Sequence, residues 1–269
     1  SEEQFVDRIV GNLEKLILEE GANTIAAFIA EPITGASGVI VPPQGYYEKV
    51  QALLKKHDIL FWADEVITGF GRTGNAFGSD TMGIESPDMM TLAKQLSSAY
   101  MPISASVIRG DMYDAMVEQS AQSGVFGHGY TYSSHPVACA VSLKTLEIYE
   151  RDDIFGHAAN IGEYMQAKMQ TFKDHPLVGE IRGKGMIGAI ELVANKQTGQ
   201  AFSDPSVGYF LTQACQDHGL IIRVVAGFSA AFCPPLIITK DQVDEIMSKF
   251  GKALDDTLAY VTKQNLFIA

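Results

Sequence analysis

Three short apolar runs, at residues 24–30, 59–63 and 89–92, each stop beside a residue with a charged side chain: Glu31, Asp64 and Lys94. Runs this short, with little polar alternation, suit strands covered on both faces better than helices, which need ten or more residues. Helical periodicity fills the stretches around them. Phe5, Ile9, Leu13, Leu16 and Ile17 recur at three- and four-residue spacing over the first twenty residues, and Tyr47, Val50, Leu53 and Leu54 do the same within 43–57. Strands alternating with helices predict an α/β fold with a parallel, doubly wound sheet, to which residues 103–108 add a strand. Ligands of such sheets collect beyond the carboxyl ends of the strands. The three charged residues are therefore expected in one crevice.

From about Pro136 the pattern changes. Helical spacing runs through Cys139, Leu143 and Leu146, and again through Ile161, Tyr164, Met165 and Met169. Strands are predicted over 179–182 and 186–192, a helix over 207–216, and a closing helix over 241–265 that carries Val243, Ile246, Phe250 and Leu254. This reads as two domains: 1–140, part of a large α/β domain, and 141–269, a smaller α+β domain. No internal repeat or low-complexity tract interrupts them.

Composition narrows the function. With 46% hydrophobic and 19% charged residues, the chain is an ordered globular protein. A formal net charge of -12 argues against nucleic-acid or anionic-membrane partners, which require clustered Lys and Arg. No run of eighteen apolar residues is present to span a bilayer, and the opening Ser1-Glu2-Glu3-Gln4 lacks the features of a signal peptide. Cys139, Cys215 and Cys233 are scattered, which predicts buried thiols in a reducing, cytoplasmic setting and neither a disulfide frame nor a metal site.

Lys94 taken alone reads most simply as a lysine leaving a strand for solvent. The functional alternative is an amine enclosed in a cleft and nucleophilic toward an aldehyde. Asp64 strengthens that alternative. A lysine paired with an aspartate that holds a pyridinium nitrogen protonated is the signature of pyridoxal phosphate (PLP) chemistry. Val66, two residues on, has a β-branched side chain suited to packing on a ring.

The segment Asp64-Glu-Val-Ile-Thr-Gly-Phe-Gly-Arg-Thr-Gly74 resembles the class III aminotransferases of the fold-type I PLP enzymes. So do Glu31-Pro-Ile-Thr-Gly35, Leu92-Ala-Lys94, Gly129-Tyr-Thr-Tyr-Ser133 with His135-Pro136, and Cys233-Pro-Pro-Leu-Ile-Ile-Thr239. Each motif is weak alone; five in the right order are specific. The resemblance implies that Lys94 binds PLP covalently and shuttles the substrate proton. It implies that Asp64 pairs with the ring nitrogen, that Val66 packs on the ring and that Glu31 lies near the cofactor. Thr131 would bind the PLP phosphate of the neighbouring subunit, which makes the enzyme a homodimer. Arg223 would grip a substrate carboxylate. Ala36 stands where ornithine and 4-aminobutyrate enzymes often carry a Glu that pairs with this arginine, which points to the amine:pyruvate branch. Gln95 and Ala99 replace glycines that commonly follow the lysine.

The expected reaction is a ping-pong transfer of an amino group from an amine or ω-amino acid to a keto acid, pyruvate by preference. A decarboxylase or racemase on the same scaffold, or a non-catalytic dimerisation remnant, are the alternatives. The Gly-Ser phosphate loop and ring-stacking aromatic of the family's N-terminal part have no counterpart here. The chain is thus expected to start in mid-domain as the C-terminal part of such an enzyme.

Overall fold

The computed structural model describes residues 1–267 as two compact units, the first formed by 1–32, 42–70 and 76–153, the second by 33–41, 71–75 and 154 onward. The first unit begins with α1 (Glu2–Glu20), opened by a capping box in which the Ser1 hydroxyl accepts from the Gln4 amide and the Gln4 side chain accepts from Ser1. Its inward stripe is Val6, Val10, Leu13 and Ile17, whereas Phe5 and Leu16 lie exposed. The sequence carries two overlapping apolar ladders on this helix, and packing selects the second.

Four strands follow: β1 (Ala27–Ala30), β2 (Leu60–Asp64), β3 (Met89–Leu92) and β4 (Ala105–Ile108), hydrogen-bonded in that order. β1 to β3 are parallel and β4 runs antiparallel to β3. Helix α2 (Tyr46–Lys56) connects β1 to β2, and α3 (Gly78–Met82) lies between β2 and β3. Phe61 and Ala63 of β2 point into a cluster with Ile17, Tyr47, Val50, Leu53, Leu54 and Ile84, and Phe28 stacks on Phe61 at 5.8 Å. The opposite face carries Ile29, 56% exposed, and the half-buried Trp62 and Asp64. Among the described residues these strands are covered on one face, and they follow one another without a reversal of order, forming the mostly parallel sheet of an α/β unit; β2 alternates, as a strand with one buried face does.

Helix α4 (Gly110–Ser123) arises where no element is predicted, and no residue of it is buried. Helix α5 (Pro136–Arg151), with Pro136 in its first turn, straddles the expected boundary at 140/141 and stays with the first unit.

The second unit holds α6 (Ile154–Met169), β5 (Val178–Lys184), β6 (Ile187–Leu192), α7 (Ser206–Asp217), β7 (Arg223–Val225), β8 (Ser229–Phe232) and α8 (Lys240–Gln264). Its strands form an antiparallel sheet in the order β5-β6-β8-β7. Ile190, Ala230 and Phe232 share the face turned to the helices, where Phe250 of α8 meets Phe232 at 5.1 Å and Phe172 at 5.3 Å. Helix α6 crosses the β5–β6 turn so closely that a Cβ on Gly162 would lie 2.6 Å from the Gly185 backbone. Only Cys215 fits the expectation of buried thiols; Cys139 is half-buried and Cys233, just past the end of β8, is exposed.

Candidate active site

The parallel register explains why distant residues converge. Ala30 pairs with Ala63, so Glu31 stands level with Asp64; Asp64 pairs with Thr91, three residues before Lys94. At a strand spacing of about 4.8 Å, the three carboxyl ends span roughly 10 Å. Glu31, Asp64 and Lys94 thus share one end of one sheet, as the sequence pattern predicts.

Asp64 is the last residue of β2. Its Oδ1 accepts from the Val66 amide at 3.0 Å, a short turn that fixes the carboxylate, while Oδ2 has no hydrogen bond among the described residues. Trp62, on the same face, donates its indole N–H to Thr91 at 2.7 Å and braces the two strands. Val66 is half-buried in the turn that follows.

Lys94 begins a 3-10 turn, Lys94–Leu96, with φ at 43°. A non-glycine residue in the left-handed region is strained, and such strain collects at functional positions. Its carbonyl accepts from the amides of Ser97 and Ala99, and Tyr149 of α5 donates its hydroxyl to the Gln95 carbonyl at 2.8 Å. The backbone is thus pinned on both sides while the amine makes no ion pair among the described residues. The amine is exposed, not enclosed in a cleft.

Thr131 lies in a turn closed by bonds from the Ser133 amide to the Tyr130 carbonyl and from the Tyr130 amide to the Ser133 hydroxyl. It is exposed, between Tyr130 and Tyr132, themselves exposed. Glu31 is half-buried, and its carbonyl accepts from the Tyr47 hydroxyl at 2.5 Å; burial pushes the pKa of the Tyr47 phenol above its ordinary value. Arg223 belongs to the second unit, on the edge strand β7, exposed, its side chain without a hydrogen bond or ion pair among the described residues.

Sequence reasoning passed over several residues. Glu65 is fully buried and accepts four hydrogen bonds. Arg182 sits in the same cross-strand row as Arg223, through Ala189 and Ala231. It is committed to the Gly38 and Val39 carbonyls, Ser229, Glu180 and Glu191. Arg72, in the Gly-rich motif, donates to the Met186 and Pro234 carbonyls at 3.1 and 2.6 Å. Gly71 and Gly74 beside it have positive φ, with Phe155 and Ala159 within 2.7 and 3.0 Å of where a Cβ would be. Half of that motif therefore serves packing. Charge alone could not separate the committed arginines from the free one.

The donor set fits a pyridine-ring aldehyde cofactor: a carboxylate with an oxygen unused and an amine without a counter-ion among the described residues, at the ends of neighbouring parallel strands. Such a pair on an α/β sheet, followed by a separate antiparallel unit, defines the class of the fold-type I PLP enzymes. The chain belongs to the class III aminotransferases: the family model "Aminotransferase class-III" matches residues 1–254. It is 48% identical over 96% of its length to gamma aminobutyrate transaminase 3, chloroplastic, of Solanum lycopersicum, covering 49% of that protein. It is 50% identical to a probable mitochondrial gamma-aminobutyrate transaminase 3 of Oryza sativa subsp. indica, again over 96% of this chain and 50% of the relative. The solved omega transaminase from Pseudomonas jessenii in complex with PMP superposes with a TM-score of 0.95 at 49% identity, covering 97% of this chain and 58% of that one. The chain spans about half the length of the curated relatives it matches. Pyridoxal phosphate is the cofactor of this family.

Proposed function

We propose that the chain carries the lysine and acid of a transaminase that moves an amino group from an amine or ω-amino acid to a keto acid, pyruvate by preference, in two half-reactions. The observation that carries this is the placement of Asp64 and Lys94 at the carboxyl ends of paired parallel strands, one with a free oxygen and the other with a free amine. Pyridoxal phosphate, when bound, supplies an electrophilic carbonyl and an electron sink. The Lys94 amine would hold it covalently and, when free, would serve as the acid and base for the substrate proton. Asp64 would hold the ring nitrogen protonated through its open Oδ2, Val66 would pack on the ring, and Glu31 would lie near the cofactor.

Arg223 receives the substrate carboxylate. Its exposure and lack of a partner support this role, as does Ala36, which brings no competing carboxylate. Arg182, already saturated, is a poor candidate. The absence of a glutamate at Ala36 is also what favours pyruvate. Thr131, exposed in its turn, would reach the phosphate of a partner subunit's cofactor, and a homodimer follows. Unpaired cysteines fit a reducing compartment, and we read it as the cytoplasm. No helix among the described residues is long and apolar enough to cross a membrane.

The test is chemical. PLP added to the full-length protein and reduced with borohydride should leave a mass adduct on Lys94, and Lys94→Ala should lose it together with turnover by about 10²–10⁴-fold. Turnover of ω-amino acids with pyruvate should exceed that with 2-oxoglutarate. An adduct on another lysine, or none, would replace this reading with that of a non-catalytic remnant.

A further inference from the structure

We infer that Glu65 is a positioning residue for the cofactor site: its buried carboxylate fixes the turn that aims Asp64. The side chain is 0% exposed, beside a site whose neighbouring acid is half-exposed. No cation faces it. Four donors converge on the two oxygens instead: Oε2 receives the Thr68 hydroxyl at 2.6 Å and the Gly78 amide at 2.9 Å, and Oε1 receives the Ser79 amide and hydroxyl, both at 2.6 Å. A buried carboxyl group is costly unless its lone pairs are filled, and here the loop after β2 and the start of α3 fill them.

The backbone of Glu65 extends the clamp. Its amide donates to the Thr91 carbonyl at 3.0 Å, tying the end of β2 to the strand that leads into Lys94, and its carbonyl accepts from Gly69 at 2.9 Å. The next residue, Val66, supplies the amide that Asp64 Oδ1 accepts. A residue tethered at its side chain, amide and carbonyl leaves that Val66 amide little freedom, so Asp64 is held in one direction. The space around it is equally fixed, since a Cβ on Gly78 would come within 2.5 Å of Thr68 and one on Gly69 within 2.8 Å of the Glu65 carbonyl. An apolar residue of this volume would leave the buried Thr68, Gly78 and Ser79 donors without an acceptor. The carboxylate satisfies them all and, by doing so, gives the turn its direction.

This rests on the reading of Asp64 as the partner of the ring nitrogen, and the experiment separates the two. Glu65→Gln keeps the shape but turns an amide N–H toward donors that need an acceptor. Thr68→Val and Ser79→Ala each remove one hydroxyl donor and leave the carboxylate, so they remain informative if Glu65→Gln folds poorly. Two readouts are taken on the full-length protein: hydrogen exchange at the Val66 amide without cofactor, and the affinity and absorbance maximum of bound PLP. Glu65→Gln should speed Val66 exchange and weaken PLP about tenfold with a shifted maximum; the two milder variants should each cost about threefold. Asp64→Asn is run beside them. Unchanged Val66 exchange in Glu65→Gln, or faster exchange with PLP binding intact while Asp64→Asn impairs it, overturns the inference and leaves the function standing. If Asp64→Asn and Glu65→Gln both bind PLP as the parent does, the reading of Asp64 falls and the inference with it.

Discussion

Backbone strain at single residues marks the strand-end loop after β3. Lys94, Ser98 and Ala99 all have positive φ, at 43°, 50° and 65°. The family's usual glycine at position 99 is thereby explained, since only glycine adopts that region without penalty, whereas Gln95 has no such conformation to satisfy. His175 shows a different residue-level effect. Its Nδ1 accepts from the Leu177 amide at 3.2 Å, and Nε2 lies 3.5 Å from Asp255 without hydrogen-bond geometry. Burial pulls the imidazole below its ordinary 6.5; Asp255 opposes this and Lys196 adds to it. A folded state that binds the proton less readily than the unfolded chain is stabilised above about pH 6.5 and loses that stability as pH falls through the depressed value. Thermal melts between about pH 7 and pH 5 should therefore show a steeper acid loss in the parent than in His175→Asn, which retains an acceptor for Leu177 but cannot charge. Parallel curves would remove His175 from the account.

Among the elements, the β2–α2 layer bears most of the first unit's core. Leu54 is 2% exposed and packs with Phe61, Ile59 and Val50, residues that place the end of β2 and hence Asp64. Leu54→Ala should cost about 3 kcal/mol of unfolding free energy by denaturant titration. A loss below about 1 kcal/mol would mean that the layer collapses around the cavity. The surface pairs Asp7–Lys49 and Glu14–Lys56 between α1 and α2 are exposed and add little beside this. Most of these elements were legible: 46–56, 60–64, 89–92 and 240–264 follow the periodicity of their apolar residues. Helix α4 was not, because its large apolar residues are confined to 112–117 and none is buried, so no stripe runs the length of the helix.

For the molecule as a whole, the exposed apolar side chains are informative. Tyr113, Met116 and Val117 lie at helical spacing on α4, followed by the exposed Val125, Phe126, Tyr130 and Tyr132. Surfaces of this kind mark association sites, and Thr131 stands among them. In the proposed homodimer, sedimentation of the full-length protein should give a dimer at micromolar concentration, and Val117→Glu should shift it toward monomer and weaken PLP. A monomeric parent would refute the shared site. A negatively charged chain gains nothing electrostatically from association, so apolar burial would have to drive it.

The order of motifs and the ends of the apolar runs placed Glu31, Asp64 and Lys94 at one sheet edge, because strand polarity in a parallel sheet follows directly from chain order. Hydrogen-bond partnership was beyond that pattern. Which arginine is spent on carbonyls and which is free, which acid is buried under four donors and which keeps an open oxygen, and which face of β2 is covered all depend on contacts between residues far apart in the chain. Local periodicity carries no record of such contacts; only the packed backbone does.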